Sequence, residues 1–493
     1  MQIPLLTRPA AVLAVALSVP VLGSGNTCCR DLSATLASKL AYPGSIAYAE
    51  SISSYWARQQ AVLSPSCVVF PETAADVSSA LVSIERRNCQ FAVRGGGHGS
   101  ALNVSNVQDG VTIDLRKLNS TVLSHNNTVV TVGGGQNWYG AYALLYPFGV
   151  TLPGGRDSNV GVGGSTIGGA LGYIAPSAGF GCDSVIEYEV VLANGRVVIA
   201  NKGSNSDLFH ALKGGGSNFG IVTKFVMNTY PLEDIWAGEA LYMPSARSGQ
   251  LQAFYNFASN PNYDNKADLL MTFLYTAEGG IQIADLFTYA EPKENPDAFK
   301  AFYGLEGQII NTTTVTNVPE FSITQEDTSP DGFWQITLAT TFTNNHRHLE
   351  DIWTIFNKSI AAASKISVIS WALTFEPLVP SLAAASKARG GNVLGLTIPP
   401  EGLVLTLGSF TFSSAADFPL ASKLVDQLLA ELIAAAIKNG VYNPFVELNH
   451  AKDSQKPFLS YGSTTYEFLV KTALKYDSKG VFQRLVPGKF KLY

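Results

Sequence analysis

The chain has 493 residues, 46% of them hydrophobic and only 14% charged, with a net charge of −5. Such a composition describes packed globular structure rather than disorder, and the length suggests two or three domains. No basic block occurs anywhere, which argues against nucleic acid as a partner, since phosphate binding needs clustered Lys and Arg.

Residues 1–23 read as a secretory signal: Arg8 gives positive charge, 9–22 is a short apolar stretch, and Gly23-Ser-Gly25 offers small residues for cleavage. The apolar run is shorter than the ~20 residues a membrane span needs, so no span is expected in the mature chain. The expected location is outside the cell or in the secretory pathway. Five cysteines, Cys28, Cys29, Cys67, Cys89 and Cys182, suit an oxidising compartment. Cys28 and Cys29 are adjacent and are expected to pair with Cys67 and Cys89, in an order the sequence does not fix. Cys182 lies in an apolar segment and is expected to be a buried free thiol. Sequons at Asn103, Asn119, Asn126, Asn311 and Asn357 permit glycosylation. No grouping of Cys and His has metal-ligand spacing, and no metal is expected.

Strands and hairpins dominate residues 65–230. Segment 110–115 alternates, 121–124 and 128–132 flank an Asn126-Asn127 turn, and 185–193 and 196–200 flank Asn194-Gly195, a strong hairpin signal. Segments 74–87 and 137–146 have the apolar spacing of helices. Over residues 234–440 the pattern changes: 239–242, 269–275, 281–289, 366–375 and 403–411 read as strands, while 244–258, 346–363 and 416–439 read as helices. Strands with segregated helices mean α+β, with an antiparallel sheet covered by helices on one side in the second region.

Three glycine-rich runs punctuate the first region. They are Val-Arg-Gly-Gly-Gly-His-Gly at 93–99, a run over 161–173 preceded by Leu152-Pro-Gly-Gly155, and Gly214-Gly-Gly-Ser-Asn-Phe-Gly-Ile-Val-Thr223. Glycine permits positive φ and close backbone approach, and successive N–H groups can cradle a pyrophosphate. A Rossmann dinucleotide motif should follow a strand, open a helix and carry an acidic residue about 20 positions on. None of the runs has that context cleanly. Their spread suggests several backbone loops jointly lining one long cofactor.

Five motifs occur in family order: Cys67-Val-Val-Phe-Pro-Glu-Thr-Ala-Ala-Asp-Val, the 93–99 run, the 161–173 run, Glu189-Val-Val-Leu-Ala-Asn-Gly195 and the 214–223 run. Together they resemble the FAD-binding domain of the vanillyl-alcohol-oxidase superfamily, the PCMH-type fold. Tyr476-Asp-Ser-Lys-Gly-Val-Phe-Gln483 is similar to the closing segment of berberine-bridge-enzyme-like oxidases. The likeness is strong over 60–233 and good over 440–493; between them it is weak apart from Arg389-Gly-Gly-Asn-Val-Leu-Gly-Leu396. It implies an FAD-binding domain over 63–233, a substrate or cap domain over 234–440, and a segment over 441–493 that completes the FAD domain.

The resemblance implies FAD as cofactor, linked covalently to His98 through the flavin 8α-methyl group. Arg94, Gly95, Gly96, Gly97, Gly99 and Ser100 would hold it from one loop. Gly161, Gly163, Gly164, Ser165, Gly168, Gly169, Gly172 and Ile221 would hold it from the others. Many relatives add a second link through a cysteine in a Gly-x-Cys-x-x-Val-Gly stretch. This chain reads Gly155-Arg-Asp-Ser-Asn-Val-Gly161, with Asp157 at the cysteine position. A carboxylate cannot form the thioether, so a single link is expected.

Relatives often present tyrosines to the substrate from a Tyr-x-Asn-Tyr strand near the C-terminus. Here the chain reads Glu447-Leu-Asn449-His450, so Glu447 and His450 are the candidate acid/base groups. Strand alternation would put Glu447 and His450 on opposite faces, leaving only one facing the flavin unless the strand is bulged. His346 and His348 are expected to be solvated, and His210 to pack. Tyr242, Phe273, Tyr275, Trp334 and Trp371 are candidates for the pocket wall or for the core. The expected activity is oxidation of a small, fairly apolar metabolite, with O2 as electron acceptor and H2O2 as product. The alternatives are a carbohydrate oxidase, a non-oxidative isomerase or cyclase using the same pocket, and a flavin-holding protein without turnover.

Overall fold

The computed structural model describes residues 23–488 and 490–493; the signal-like residues 1–22 lie outside them. Helix and sheet are mixed and segregated, as an α+β chain requires. The N-terminal helix Gly25–Leu36 is stapled to the first region by two disulfides, Cys28–Cys89 and Cys29–Cys67. Each closes a loop and contributes about 2–4 kcal/mol. The structure thus supplies the pairing order, and Cys182 is the buried free thiol.

A small sheet in the order Leu40–Ala41, Cys67–Val69, Val111–Asp114, Phe91–Arg94 begins the flavin side. Its last three strands are parallel. Parallel neighbours need a crossover, and the helix Ala74–Arg87 provides one. Thr73 and Asp76 form a capping box at its start, and Asn88 ends it in the left-handed conformation. Val77, Ala80, Leu81 and Ile84 form its buried face. Strand Phe91–Arg94 therefore delivers the chain at a fixed point into the Gly95–Gly97 loop. A second, antiparallel sheet of five strands, Thr121–Leu123, Val129–Gly133, Ile221–Asn228, Val185–Val191 and Val197–Asn201, stands beside it. The 194–195 hairpin lies where expected.

From Ile235 onward the strands belong to one antiparallel sheet of nine, ending with Tyr442–Asn443. The alternation of side chains gives this sheet two apolar faces. On Ala267–Thr276, Leu269, Met271 and Phe273 turn to a core shared with helices Arg247–Ala258, His346–Ala363 and Phe418–Lys438. Leu270, between them, turns the other way. On Leu403–Phe412, Val404, Phe410 and Phe412 face the helices, while Leu405 and Leu407 face the flavin side.

Strand Trp334–Thr343 and helix Val318–Asp327 were not expected from the sequence. Trp371, Phe273 and Trp334 pack against Phe410, Trp353 and Phe418, on the helix side of the sheet. His348 is not solvated: it is 1% exposed, with its ring edge-on to Phe342 at 4.5 Å.

After helix Ser463–Tyr476 the tail returns to the first sheet. The Phe91 N–H donates to Leu485 O at 2.9 Å, and Phe482 packs on Phe91. The Asp477 carboxylate accepts from the Val481 and Phe482 N–H groups, both at 2.8 Å. Among the described residues, no helix is long and apolar enough to cross a membrane.

Candidate active site

A cavity of about 520 Å³ runs between the glycine loops and the free face of the nine-stranded sheet. Gly95, Gly96, Gly97, His98, Gly99 and Ser100 line it, as do Asp157, Gly161, Gly163, Gly164, Ser165 and Ile221. The loops touch backbone to backbone. A Cβ on Gly96 would stand 2.4 Å from Gly161 N, and one on Gly161 would stand 2.3 Å from Gly96 N. Among the described residues, none of the N–H groups of residues 96–100 donates to a protein acceptor. A run of free backbone donors facing a cavity is the donor set an anionic phosphate chain requires, so the residues present fit FAD.

Four expected cofactor residues lie elsewhere. Arg94 turns inward: its guanidinium donates to Ser51 O and Ser54 O and stacks over the Tyr55 ring at 3.9 Å. It props the loop from behind, because a Cβ on Gly97 would meet Arg94 Nε at 2.7 Å. Gly168 gives room to Asn449, whose Oδ1 would be 2.0 Å from an added Cβ. Gly169 has φ +126°, open to glycine alone, and Gly172 lies against Gly154 O.

His98 is clamped. The Trp56 ring stacks on it at 4.5 Å with an 8° interplanar angle, and Asp157 Oδ2 lies 3.5 Å from its Nε2. Burial pushes the imidazole down to about 4 and the Asp157 carboxyl up to about 6. The imidazole is therefore neutral near pH 7, with a lone pair available. Trp56 was missed because it sits far from every glycine run, in a segment without motif.

The C-terminal segment does not form the expected strand at Glu447. Residues 448–450 turn instead. Glu447 Oε2 accepts from both the N–H and the Nδ1 of His450, at 2.9 and 2.8 Å. The turn brings together two side chains that alternation would have separated, and both line the cavity. His450 lines the cavity and keeps 45% of its side-chain surface accessible. Burial disfavours its charged form, but the hydrogen bond and charge of Glu447, with Glu376 beyond, outweigh that and raise its pKa.

The opposite wall is mixed: Leu270, Leu286, Leu405 and Leu407 stand among Thr337, Thr374 and Ser409. Its charged member is Glu376, whose Oε1 accepts from Arg156 Nη2 at 2.8 Å; the same nitrogen reaches Asp268 at 2.7 Å. Burial raises the Glu376 pKa against the pull of Arg156, and Asp268 adds to the rise. This buried cluster joins the 152–160 loop to two cap strands. Tyr242, Phe273, Tyr275, Trp334 and Trp371 are not part of the wall. The described residues hold no group of His, Cys, Asp and Glu suited to a metal.

Residues 65–201 match the FAD binding domain family. The chain is 35% identical to the FAD-dependent monooxygenase sdcF of Emericella nidulans, over 94% of this chain and 98% of that protein. It is 33% identical to the FAD-dependent monooxygenase drtC of Aspergillus calidoustus, over 98% and 95%. In fold it is similar to 6-hydroxy-D-nicotine oxidase from Arthrobacter nicotinovorans, with a TM-score of 0.75 at 20% identity over 92% and 97% of the chains. It is also similar to a glucooligosaccharide oxidase from Acremonium strictum, described with a 6-S-cysteinyl, 8α-N1-histidyl FAD (TM-score 0.74, 18% identity, 92% and 97%). Glycine loops that meet backbone to backbone, full-length relatives that use FAD and a shared fold lead to one assignment. The chain belongs to the FAD-dependent oxidoreductases of the vanillyl-alcohol-oxidase superfamily.

Proposed function

We propose that this protein is an oxidase carrying FAD on a single covalent link to His98, and that it removes a hydride from a small, fairly apolar metabolite of secondary metabolism. When bound, the flavin accepts the hydride and passes the electrons to O2, giving H2O2. The protein binds, orients and moves one proton. His450 takes the substrate proton through its cavity-facing imidazole, and Glu447 holds the ring by the hydrogen bond to Nδ1. The four cap leucines favour an apolar substrate body.

The observation that carries this reading is the meeting of His98 and the Glu447–His450 pair in one cavity whose cap wall presents four leucines. The signal-like residues 1–23 and the two disulfides support passage through the secretory pathway. Asn126 and Asn311 are exposed sequons suited to glycosylation.

Acid precipitation of wild type and His98→Ala tests the attachment. Yellow colour should stay in the wild-type pellet and move wholly to the supernatant for the variant. A coloured variant pellet would reveal a second link. A panel of apolar alcohols and phenols, followed by oxygen uptake and peroxide release, tests the chemistry. Turnover without oxygen uptake would favour the isomerase or cyclase, and incorporation of 18O into product would favour a monooxygenase.

A further inference from the structure

Asp157 is held firmly and has no partner in the hydride chemistry. Its Oδ1 accepts from the Asn159 N–H at 2.9 Å, while Oδ2 faces His98 Nε2 at 3.5 Å. Trp56 fixes the plane of the imidazole. The freedom left to that ring is a half-turn about Cβ–Cγ, which exchanges Nδ1 with Cδ2 and Nε2 with Cε1, and the carboxylate favours the orientation that keeps Nε2 beside it. Other titratable groups facing His98 are Glu326 on the cap helix, Asp331 in the segment after it, and His450 from the C-terminal turn. Glu326 is engaged by Ser158 Oγ and Asn159 Nδ2. Among the described residues, Asp157 is the carboxylate within ion-pair distance of the His98 ring.

We propose that Asp157 is the positioning residue for flavin attachment: it draws the His98 proton onto Nε2, accepts it, and so presents the Nδ1 lone pair to the flavin. This rests on the covalent link proposed above. In the attachment, a bond forms between Nδ1 and the 8α carbon, and one C–H bond of that methyl group breaks. The methyl proton and the imidazole proton both leave. The electron pair goes by way of the flavin to O2, which takes it with two protons as H2O2. The position that carries a second link in other members of the superfamily here serves the first.

The test follows acid-stable flavin with time after FAD is added to flavin-free protein produced under riboflavin starvation, from pH 5 to 8, for wild type, Asp157→Asn and Asp157→Glu. Wild-type attachment should accelerate with pH as the carboxyl ionises. Asp157→Asn should bind FAD, remain yellow before acid, and attach it at least tenfold more slowly with no dependence on pH over that range. Asp157→Glu should recover part of the rate and the pH dependence. NMR of the isolated wild-type flavin peptide should place the bond on Nδ1, a readout independent of how the variants fold. Attachment in Asp157→Asn at the wild-type rate with the wild-type profile would overturn the proposal, as would a bond at Nε2. A wild type that releases all its flavin in acid would instead overturn the covalent link itself.

Discussion

The two walls of the cavity are made of different material. The flavin side is backbone: glycines whose missing side chains let two loops approach until a single Cβ would collide. The cap side is side chain: leucines, threonines, a serine and one fixed glutamate from a sheet whose other face is a helical core. A backbone wall binds the same cofactor whatever the substrate, because N–H groups carry no sequence identity. A side-chain wall can change at each position without disturbing the fold. The comparison predicts that small changes on the flavin side abolish cofactor binding, whereas changes on the cap side alter chemistry or stability and leave the flavin in place.

The largest effect should come from one methyl group. Gly96→Ala places a Cβ 2.4 Å from Gly161 N, and the obstacle is backbone, which cannot rotate away. The loops must separate by about an ångström, at a cost of roughly 1–3 kcal/mol or more. Purified Gly96→Ala should contain little FAD, read as the ratio of visible to ultraviolet absorbance. Full flavin content in this variant would break the comparison at its first step.

That asymmetry also explains what the sequence discloses. The glycine loops were legible because close approach leaves a compositional mark, and so was the helix 74–87, by its apolar spacing. The cap wall was not. Leu270 and Leu407 look like any strand leucine, and which face they serve depends on a sheet assembled from strands far apart in the chain. Strand Trp334–Thr343 is rich in Thr and has no hairpin partner nearby; it pairs with residues 403–412 and 442–443. Glu447 and His450 both reach the cavity, but in a geometry other than the one expected. The strand rule separates them, whereas the turn at 448–450 joins them through a hydrogen bond. Arg94 was misassigned because a motif arginine beside a phosphate cradle suggests an anion ligand, yet its partners are Ser51, Ser54 and Tyr55.

The next effect concerns rate alone. His450→Asn should lower kcat by about 10²–10⁴-fold, the usual worth of a positioned acid or base, with flavin content unchanged. As a base His450 must be neutral, and its pKa is raised. Activity should therefore climb as pH rises through an inflection above the ordinary histidine value. Glu447→Gln removes the carboxylate that raises it, so the inflection should move to lower pH. An unmoved inflection would assign the titration to another group, with Glu376 the first candidate.

The smallest effect lies behind the cap wall. Asp285, on strand Gly280–Tyr289, is fully buried, and neither carboxyl oxygen has a hydrogen-bond partner. Burial pushes its pKa up to about 8, with the nearby Gln250 amide pulling slightly the other way. Because the folded pKa lies above the unfolded value, the neutral carboxyl is fully tolerated below about pH 4. Stability is then lost as pH rises toward 8, by up to about 1.4 kcal/mol per pH unit. Asp285→Asn cannot ionise. Its Tm should fall less than that of wild type between pH 5 and pH 8, leaving the variant more stable at the upper end. Flavin content and the His450 inflection should be unaffected, since Asp285 faces the helices and not the cavity. Parallel Tm curves would mean that the cap core accommodates the charge. A change in flavin content would show instead that the helix side of the sheet is felt at the glycine loops, and that the two walls are not independent.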